Sequence, residues 1–174
     1  HVKDDVIVID LFGKVYKGTY SGGNLSTAIA TRTGRGQVIF GGVRDAEQIL
    51  RIPDFSTFCK GVDPTGIDEV TLVGINVPCR IGQAVCLPGD VVVGTYSGVV
   101  FVPPHLAEEV VERSEQMRLR EGFGFQRLRE GVYTSSQMDT RWTPEIETDY
   151  ADWRGQRTPA ELEEFLWGET RGKA

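Results

Sequence analysis

From Val6 to Leu50 the chain alternates strand-like runs with stretches of helical spacing, with glycines between them, and few architectures accept that order. Val6-Ile7-Val8-Ile9-Asp10 is β-branched and bounded by charges and by Gly13, as expected of a strand buried on both faces. Lys14 to Tyr20 alternates and predicts a second strand. After the turn Tyr20-Ser21-Gly22-Gly23-Asn24-Leu25, the residues Leu25, Ala28 and Ile29 recur at helical spacing, and Thr31 to Gly36 closes that helix. Gln37-Val38-Ile39-Phe40 predicts the next strand, ending in Gly41-Gly42. Asp45 then stands where an N-cap would start a short helix over 45–50. The rhythm is strand, helix, strand, helix, and the fold class it predicts is α/β.

Beyond residue 54 the texture changes. Phe55 to Val62, Glu69 to Val73, Val77 to Ile81, Ala84 to Leu87, Asp90 to Val93 and Val99 to Val102 are short strand-like runs cut by glycine or proline, which predicts a compact β layer. Pro88-Gly89-Asp90 and Gly94-Thr95-Tyr96-Ser97-Gly98 carry turn chemistry and no catalytic role. Pro103-Pro104 launches a long helix to about Arg120, with Ala107, Val110, Val111 and Ser114 as its buried face and Glu108, Glu109 and Glu112 on the solvated side. His105, at that helix start, is expected to face solvent. Residues 1–120 are read as one domain and 121–174 as a polar tail. The tail holds Trp142, Trp153 and Trp167, and in it Thr158-Pro159-Ala160-Glu161 starts a helix with a capping box. Its spaced aromatics are expected to lie across a neighbouring subunit, with packing on its own domain as the alternative.

Composition removes several classes of function. The net charge is -6 and the basic residues are mixed among acids, which argues against nucleic-acid binding. No apolar run reaches bilayer length, because the longest, Val91 to Val102, is broken by Gly94, Ser97 and Gly98, so no membrane association is expected. No signal peptide or lipidation signal is seen, and a cytoplasmic location is expected. The chain opens on His1 and runs straight into a strand, so its natural N-terminus is expected to lie elsewhere. Cys59, Cys79 and Cys86 form no CxxC pair, and an odd count suits buried free thiols in a reducing compartment. Two histidines are too few for most zinc sites or a Ser-His-Asp triad. Chemistry must then rest on carboxylates, arginine, backbone amides and an oxygen-seeking metal.

Two motifs fit that description. Gly22-Gly23-Asn24-Leu25 puts bare N–H groups at a helix start, where an anion can sit, although an ordinary strand-to-helix turn has the same sequence. It lacks GxGxxG spacing, and no Gly-Lys-Ser/Thr follows. Arg44-Asp45, after Gly41-Gly42-Val43, can be a surface ion pair with a helix cap. It can equally be a guanidinium that grips a planar carboxylate beside a carboxylate that holds Mg2+. Position favours the second, because both residues follow a hydrophobic strand, where open α/β folds place ligands. If that strand neighbours the one preceding Gly22, amides, guanidinium and carboxylate meet in one site for a small 2-oxo acid.

With Gly36 to Asp45, Gly61-Val62-Asp63-Pro64, and Pro88-Gly89-Asp90 through Gly98-Val99-Val100-Phe101-Val102-Pro103, these motifs make Val2 to Arg120 resemble the RraA family. That family, named for a regulator of ribonuclease activity, includes 4-hydroxy-4-methyl-2-oxoglutarate aldolases and oxaloacetate decarboxylases. The resemblance implies a swivelling β/β/α domain, here followed by a long C-terminal helical tail. It also implies a homotrimer or hexamer, and Mg2+ or Mn2+ chelated by pyruvate or its enolate. Carried onto this sequence, Asp45 would anchor the metal, Arg44 would hold a carboxylate or carbonyl oxygen, and the amides of Gly22, Gly23, Asn24 and Leu25 would cradle the remaining oxygens. Gly23 stands where aldolase members carry an acid, and Phe40 where many carry Asp. Family members also have a helical segment and strands ahead of the equivalent of Val6, so part of the family domain is expected to lie outside this sequence.

The implied activity is cleavage of the C3–C4 bond of a 2-oxo acid to release pyruvate, by retro-aldol reaction or decarboxylation. The alternative is a non-catalytic module that binds and regulates an RNA-processing enzyme. A methyltransferase label, common in the family, is disfavoured because no glycine loop and strand-end acid suited to a methyl donor follow Val6 to Asp10.

Overall fold

A computed structural model describes residues 2–171, with side chains as far as residue 166. His1 and the side chain of Trp167 lie outside that range. The chain divides into two compact units, one ending at His105 and one beginning at Leu106.

The first unit is built on a parallel sheet of β1 (Ile7–Asp10), β2 (Thr19–Ser21), β3 (Gly36–Val43) and β4 (Ser56–Val62). β3 is central. β1 pairs with its first half, from Ile7 beside Gln37 to Asp10 beside Phe40, and β2 takes over at Thr19 beside Gly42 and Ser21 beside Val43. β4 lies along the other edge, from Ser56 beside Gly36 to Val62 beside Val43. A strand in this position is covered on both faces and so reads as a continuous apolar run, and seven of the eight β3 residues are buried. Ile39, Val43 and Ile49 form its core, joined by Ile9, Leu11, Tyr20 and Phe55.

The expected strand over Lys14 to Tyr20 shrinks to Thr19–Ser21, because residues 11–18 form turns where β1 hands the edge of β3 to β2. That crossing explains the glycine pair. A Cβ at Gly41 would lie 2.8 Å from the Leu11 side chain and 3.0 Å from the Lys14 carbonyl, and one at Gly42 would lie 3.0 Å from the Val15 carbonyl. β1 buries only Ile7 fully, not both faces.

Helix α1 spans Gly23–Thr33, between Gly22 and a left-handed Gly34. Its buried face is Gly23, Ser26, Ile29 and Thr33; of the residues that recur at helical spacing, Ile29 is buried and Leu25 and Ala28 are exposed. The small and polar face suits a helix laid close over a sheet, and the Gln37 amide meets the Ser26 hydroxyl at 3.0 Å beneath it. Helix α2 is one turn, Ala46–Ile49.

The compact β layer resolves differently. β4 joins the parallel sheet, Glu69 to Val73 is irregular and exposed, and the remainder forms two hairpins. These are β5 (Cys79–Ile81) with β6 (Ala84–Cys86), and β7 (Val91–Thr95) with β8 (Gly98–Val102). Of the three cysteines expected to be buried, only Cys86 is; Cys59 is exposed and Cys79 half-buried.

The second unit contains α3 (Ala107–Arg129), α4 (Ser135–Met138), α5 (Pro144–Gly155) and α6 (Pro159–Arg171). α3 runs past its expected end at Arg120, so the boundary placed at 120 falls inside it. Val110, Val111 and Ser114 are exposed, and the buried residues of α3 are Leu119, Phe123 and Gly124. His105, in a single 3-10 turn over Pro104–Leu106, is exposed as expected. Phe123 is wholly buried amid Tyr133, Trp142, Tyr150 and Trp153, with ring centroids 5.4–6.4 Å away. Trp142 and Trp153 therefore pack within their own unit. Arg120 lies 3.7 Å over the Trp142 ring and Arg157 3.8 Å over Trp153. Arg127 grips Asp149 through two hydrogen bonds of 2.9 and 2.6 Å, and the Tyr133 hydroxyl donates to the same carboxylate at 3.0 Å. Thr158 caps α6 as expected: its N–H donates to the Glu161 carboxylate at 2.7 Å, and the Glu161 N–H donates to the Thr158 hydroxyl at 3.4 Å. Among the described residues no helix is long and apolar enough to cross a membrane.

All three tryptophans belong to this unit by sequence, so their fluorescence follows its unfolding alone. Phe123→Ala is expected to lower its stability in urea by about 3–5 kcal/mol, the range for removing a large buried aromatic. Hydrogen bonds from Arg127 hold the Asp149 carboxyl below its ordinary value. Its contribution is therefore complete above the ordinary carboxylate range and is lost as the pH falls through the lowered pKa. Urea unfolding of Asp149→Asn and the parent chain should differ at pH 7, and the gap should close on acidification below pH 3.

Candidate functional site

The end of β3 carries the site. Arg44 and Asp45 follow its last residue, and the Arg44 N–H donates to the Ser21 carbonyl at 3.0 Å, so the β2–β3 pairing continues into the turn before α1. That pairing puts the Gly22 turn against Arg44 and Asp45. Asp45 stands at the N-cap position of α2 as expected, but it makes no cap hydrogen bond. Its backbone is left-handed, at φ 54°, a conformation that Asp tolerates better than most residues. The carboxylate crosses instead to α1, where Oδ2 accepts the Gly23 N–H at 3.2 Å. Arg44 Nε lies 3.6 Å from the same oxygen, and both side chains are about two-fifths exposed.

Glycine is required at 22 for a specific reason. A Cβ there would collide with Asp45 Oδ2 and approach the Arg44 Cγ and Nε to 3.0 Å. At Gly23 a Cβ would run into the Gln48 side-chain oxygen. Gln48, one turn beyond Asp45 on α2, thus fills the space that an acid at position 23 would use.

A cavity of about 430 Å³ opens here, lined by Tyr20, Gly22, Asn24, Leu25, Arg44, Asp45, Gln48 and Ile67. The Gly22 turn and Arg44-Asp45, separate in sequence, share it. Gly22, at the N-cap, has no side chain to cap α1, and Asp45 takes only the Gly23 N–H, so the amides of Asn24 and Leu25 have no intrahelical acceptor and form a positive end beside Arg44. Leu25, exposed at the start of α1, sits at the cavity wall.

Three lining residues escaped the sequence reading. Tyr20 precedes the glycine turn, and burial pushes its phenol pKa up. Gln48 could have been found as the position three residues after Asp45 on the same helical face. Ile67 carries no such signal, since its place depends on a loop anchored by Asp63. The Asp63 N–H donates to the Val43 carbonyl at 3.0 Å, and its carboxylate accepts the Thr65 N–H at 2.9 Å. Hydrogen bonds from Thr65 lower the Asp63 pKa. The Thr19 hydroxyl in turn donates to the Thr65 carbonyl, and the Lys17 N–H donates to the Thr65 hydroxyl at 2.8 Å. The Gly61-Val62-Asp63-Pro64 motif therefore fixes a cavity wall.

Asp45 is the only carboxylate lining the cavity, and among the described residues no group of three or more His, Cys, Asp or Glu can hold a metal. Such a donor set cannot cage an ion. It does fit Mg2+, which keeps most of its water and binds through one or two carboxylates together with a substrate.

Comparison with known proteins agrees with this architecture. The family model described as Aldolase/RraA matches residues 1–101. A Halalkalibacterium halodurans protein named as a candidate 4-hydroxy-4-methyl-2-oxoglutarate aldolase is 30% identical over 113 residues, covering 64% of this chain and 52% of its own. A crystal structure of an uncharacterized Pseudomonas syringae protein aligns at TM-score 0.72 and 27% identity, over 79% of this chain and 64% of that one. Streptomyces coelicolor RraAS2, described as an unusual member of the RNase ES inhibitor RraA family, aligns at TM-score 0.66 and 29% identity, over 72% and 63%. The chain spans between 22% and 57% of the curated relatives it matches. With its parallel sheet, its glycine turn and the Arg-Asp pair at the end of β3, this chain belongs to the RraA-like family.

Proposed function

We propose that the cavity binds a small 2-oxo acid and that the protein is a divalent-metal-dependent lyase releasing pyruvate by C3–C4 cleavage. The observation that carries this reading is the convergence of Arg44, Asp45 and the start of α1, with the amides of Asn24 and Leu25 lacking an intrahelical acceptor, on one cavity. The Arg44 guanidinium offers parallel N–H donors to a planar carboxylate or to the adjacent carbonyl oxygen. The amides of Asn24 and Leu25 suit the remaining carboxylate oxygens. Negative charge grows on the C2 oxygen as the C3–C4 bond breaks, and fixed donors aimed at that oxygen favour the transition state over the ground state. Asp45 would hold Mg2+ or Mn2+, which supplies electrophilic stabilisation of that charge when bound. Gln48 and Tyr20 face the group beyond C3, with one amide and one phenol where aldolase-like sequences place an acid at position 23. That exchange favours a distal group read by neutral hydrogen bonds.

With Mg2+ and oxaloacetate, the protein should release pyruvate above the uncatalysed rate, followed by a coupled reductase assay. Asp45→Ala should lower kcat/KM by at least about 100-fold, since electrophilic assistance is worth several kcal/mol. An unchanged rate in that variant would refute the assignment. Arg44→Lys keeps the charge and loses the planar fork, so KM should rise by roughly tenfold or more, matching charge-assisted hydrogen bonds of about 1.5–3 kcal/mol. Gly22→Ala should abolish binding of the inert analogue oxalate in calorimetry, because the new methyl displaces Asp45.

The similarity to an RNase ES inhibitor family member supports a second reading, a non-catalytic module that regulates an RNA-processing enzyme. Retention of a ribonuclease partner by Asp45→Ala protein, with no pyruvate released by the parent, would favour it.

A further inference from the structure

The β5–β6 hairpin holds two of the three cysteines opposite one another. Its register pairs Ile81 with Ala84, Arg80 with Val85 and Cys79 with Cys86, around a turn in which Gly82 is left-handed. Opposed residues of an antiparallel pair have Cα atoms about 4.5 or 5.5 Å apart, according to which kind of pair they form. Disulfides span about 4.4–6.8 Å between Cα atoms, so either kind is within reach without backbone movement. Opposed side chains also leave the sheet on the same face. Each thiol lies close enough to perturb the other's ionisation, and the Cys86 thiol donates to the Leu87 carbonyl oxygen at 3.7 Å. Both are free; Cys86 is buried and Cys79 half-buried, so Cys79 is the sulfur that a dissolved reagent meets first.

We propose that Cys79 and Cys86 form a redox-active dithiol that closes to a cross-strand disulfide by exchange with a low-molecular-weight disulfide. The Cys79 thiolate attacks one sulfur of the reagent, forming a mixed disulfide and expelling one small thiol. Cys86 gives its proton to solvent and attacks the Cys79 sulfur, expelling the second. Two protein thiols are oxidised and one small disulfide is reduced to two thiols, so no other reactant is needed. Only thiolates react, and both sulfurs sit where thiolates are disfavoured. Burial raises the Cys79 pKa, helped by the Asp10 carboxylate. Burial likewise pushes Cys86 up to about 11, with Cys79 and Asp90 adding to the effect. Closure is therefore slow at neutral pH and quickens with alkalinity. The bond would tie together a hairpin whose Arg80 N–H already donates to Asp10, the last residue of β1, at 3.3 Å.

The test uses the full chain with Cys59→Ser, so that the exposed third thiol cannot compete. Folded protein is held with oxidised glutathione between pH 7 and pH 9, quenched by alkylation and mapped without reduction. The expected product has lost two hydrogens, links the Cys79 and Cys86 peptides, reopens with reduced glutathione, and forms about tenfold faster per pH unit, as thiolate does below its pKa. Amide hydrogen exchange across 79–86 should slow in the oxidised form. Adding Cys86→Ser should stop the reaction at a glutathione adduct on Cys79. A lasting adduct on Cys79 while Cys86 is still present would overturn the proposal. So would a disulfide that appears only after urea has removed the far-UV circular dichroism of the fold.

Discussion

The hand-over of one edge of β3 from β1 to β2 is the constraint on which the candidate site depends. β1 stops at Asp10 beside Phe40, the chain turns across Gly41 and Gly42, and β2 resumes the same edge beside Gly42 and Val43. This brings the start of α1 level with the end of β3. A side chain at Gly41 or Gly42 would lift the crossing turn away from the sheet, and β2 with it. The Gly22 turn would then lose its place beside Arg44 and Asp45. Three glycines far apart in function thus serve one geometry: two admit a crossing chain, and the third admits a carboxylate.

The site was more legible in the sequence than the packing around it. Gly22-Gly23 and Arg44-Asp45 are marked by residue types that few other demands select, and their meeting followed once their strands were taken as neighbours. The supporting residues carry no such mark. The buried face of α1 is Gly23, Ser26, Ile29 and Thr33, and a hydropathy pattern reads Ser and Thr as solvated. Their burial comes from close approach to the sheet, a tertiary effect. Leu25 is apolar, yet it stands exposed at the cavity wall. Val91 and Val93 show a related limit: β7 is apolar on both faces, yet both of these residues are about half exposed. Alternation is absent there, so sequence alone cannot choose the covered side.

The second unit is held by a different means. Its apolar content is concentrated in aromatics around Phe123, and arginines roof that cluster: Arg120 over Trp142 and Arg157 over Trp153. Arg120, Phe123, Gly124 and Arg127 fall at helical spacing on α3, so one face supplies the buried ring, a gap for Met138 and two carboxylate-gripping guanidiniums. A reading that sorts charges to the outside and valines to the inside inverts this helix. Val110 and Val111 were chosen over a face whose arginines are stacked and paired. Polar composition was therefore a poor guide to whether this segment has a core of its own.

On the proposed reading, the cavity's single carboxylate is also its selectivity. A site that encloses a cation with protein ligands binds it whether or not substrate is present. One carboxylate, already accepting an amide hydrogen from Gly23, offers the ion a weaker hold. A 2-oxo acid that supplied further oxygen donors would strengthen that hold, so metal affinity would rise in its presence. Arg44 strengthens that dependence, because its charge lies 3.6 Å from Asp45 and repels a bare cation until an anion arrives to offset it. On that reading, ligands without an anionic group would leave this repulsion in place, however well they filled the space beside Gln48 and Ile67.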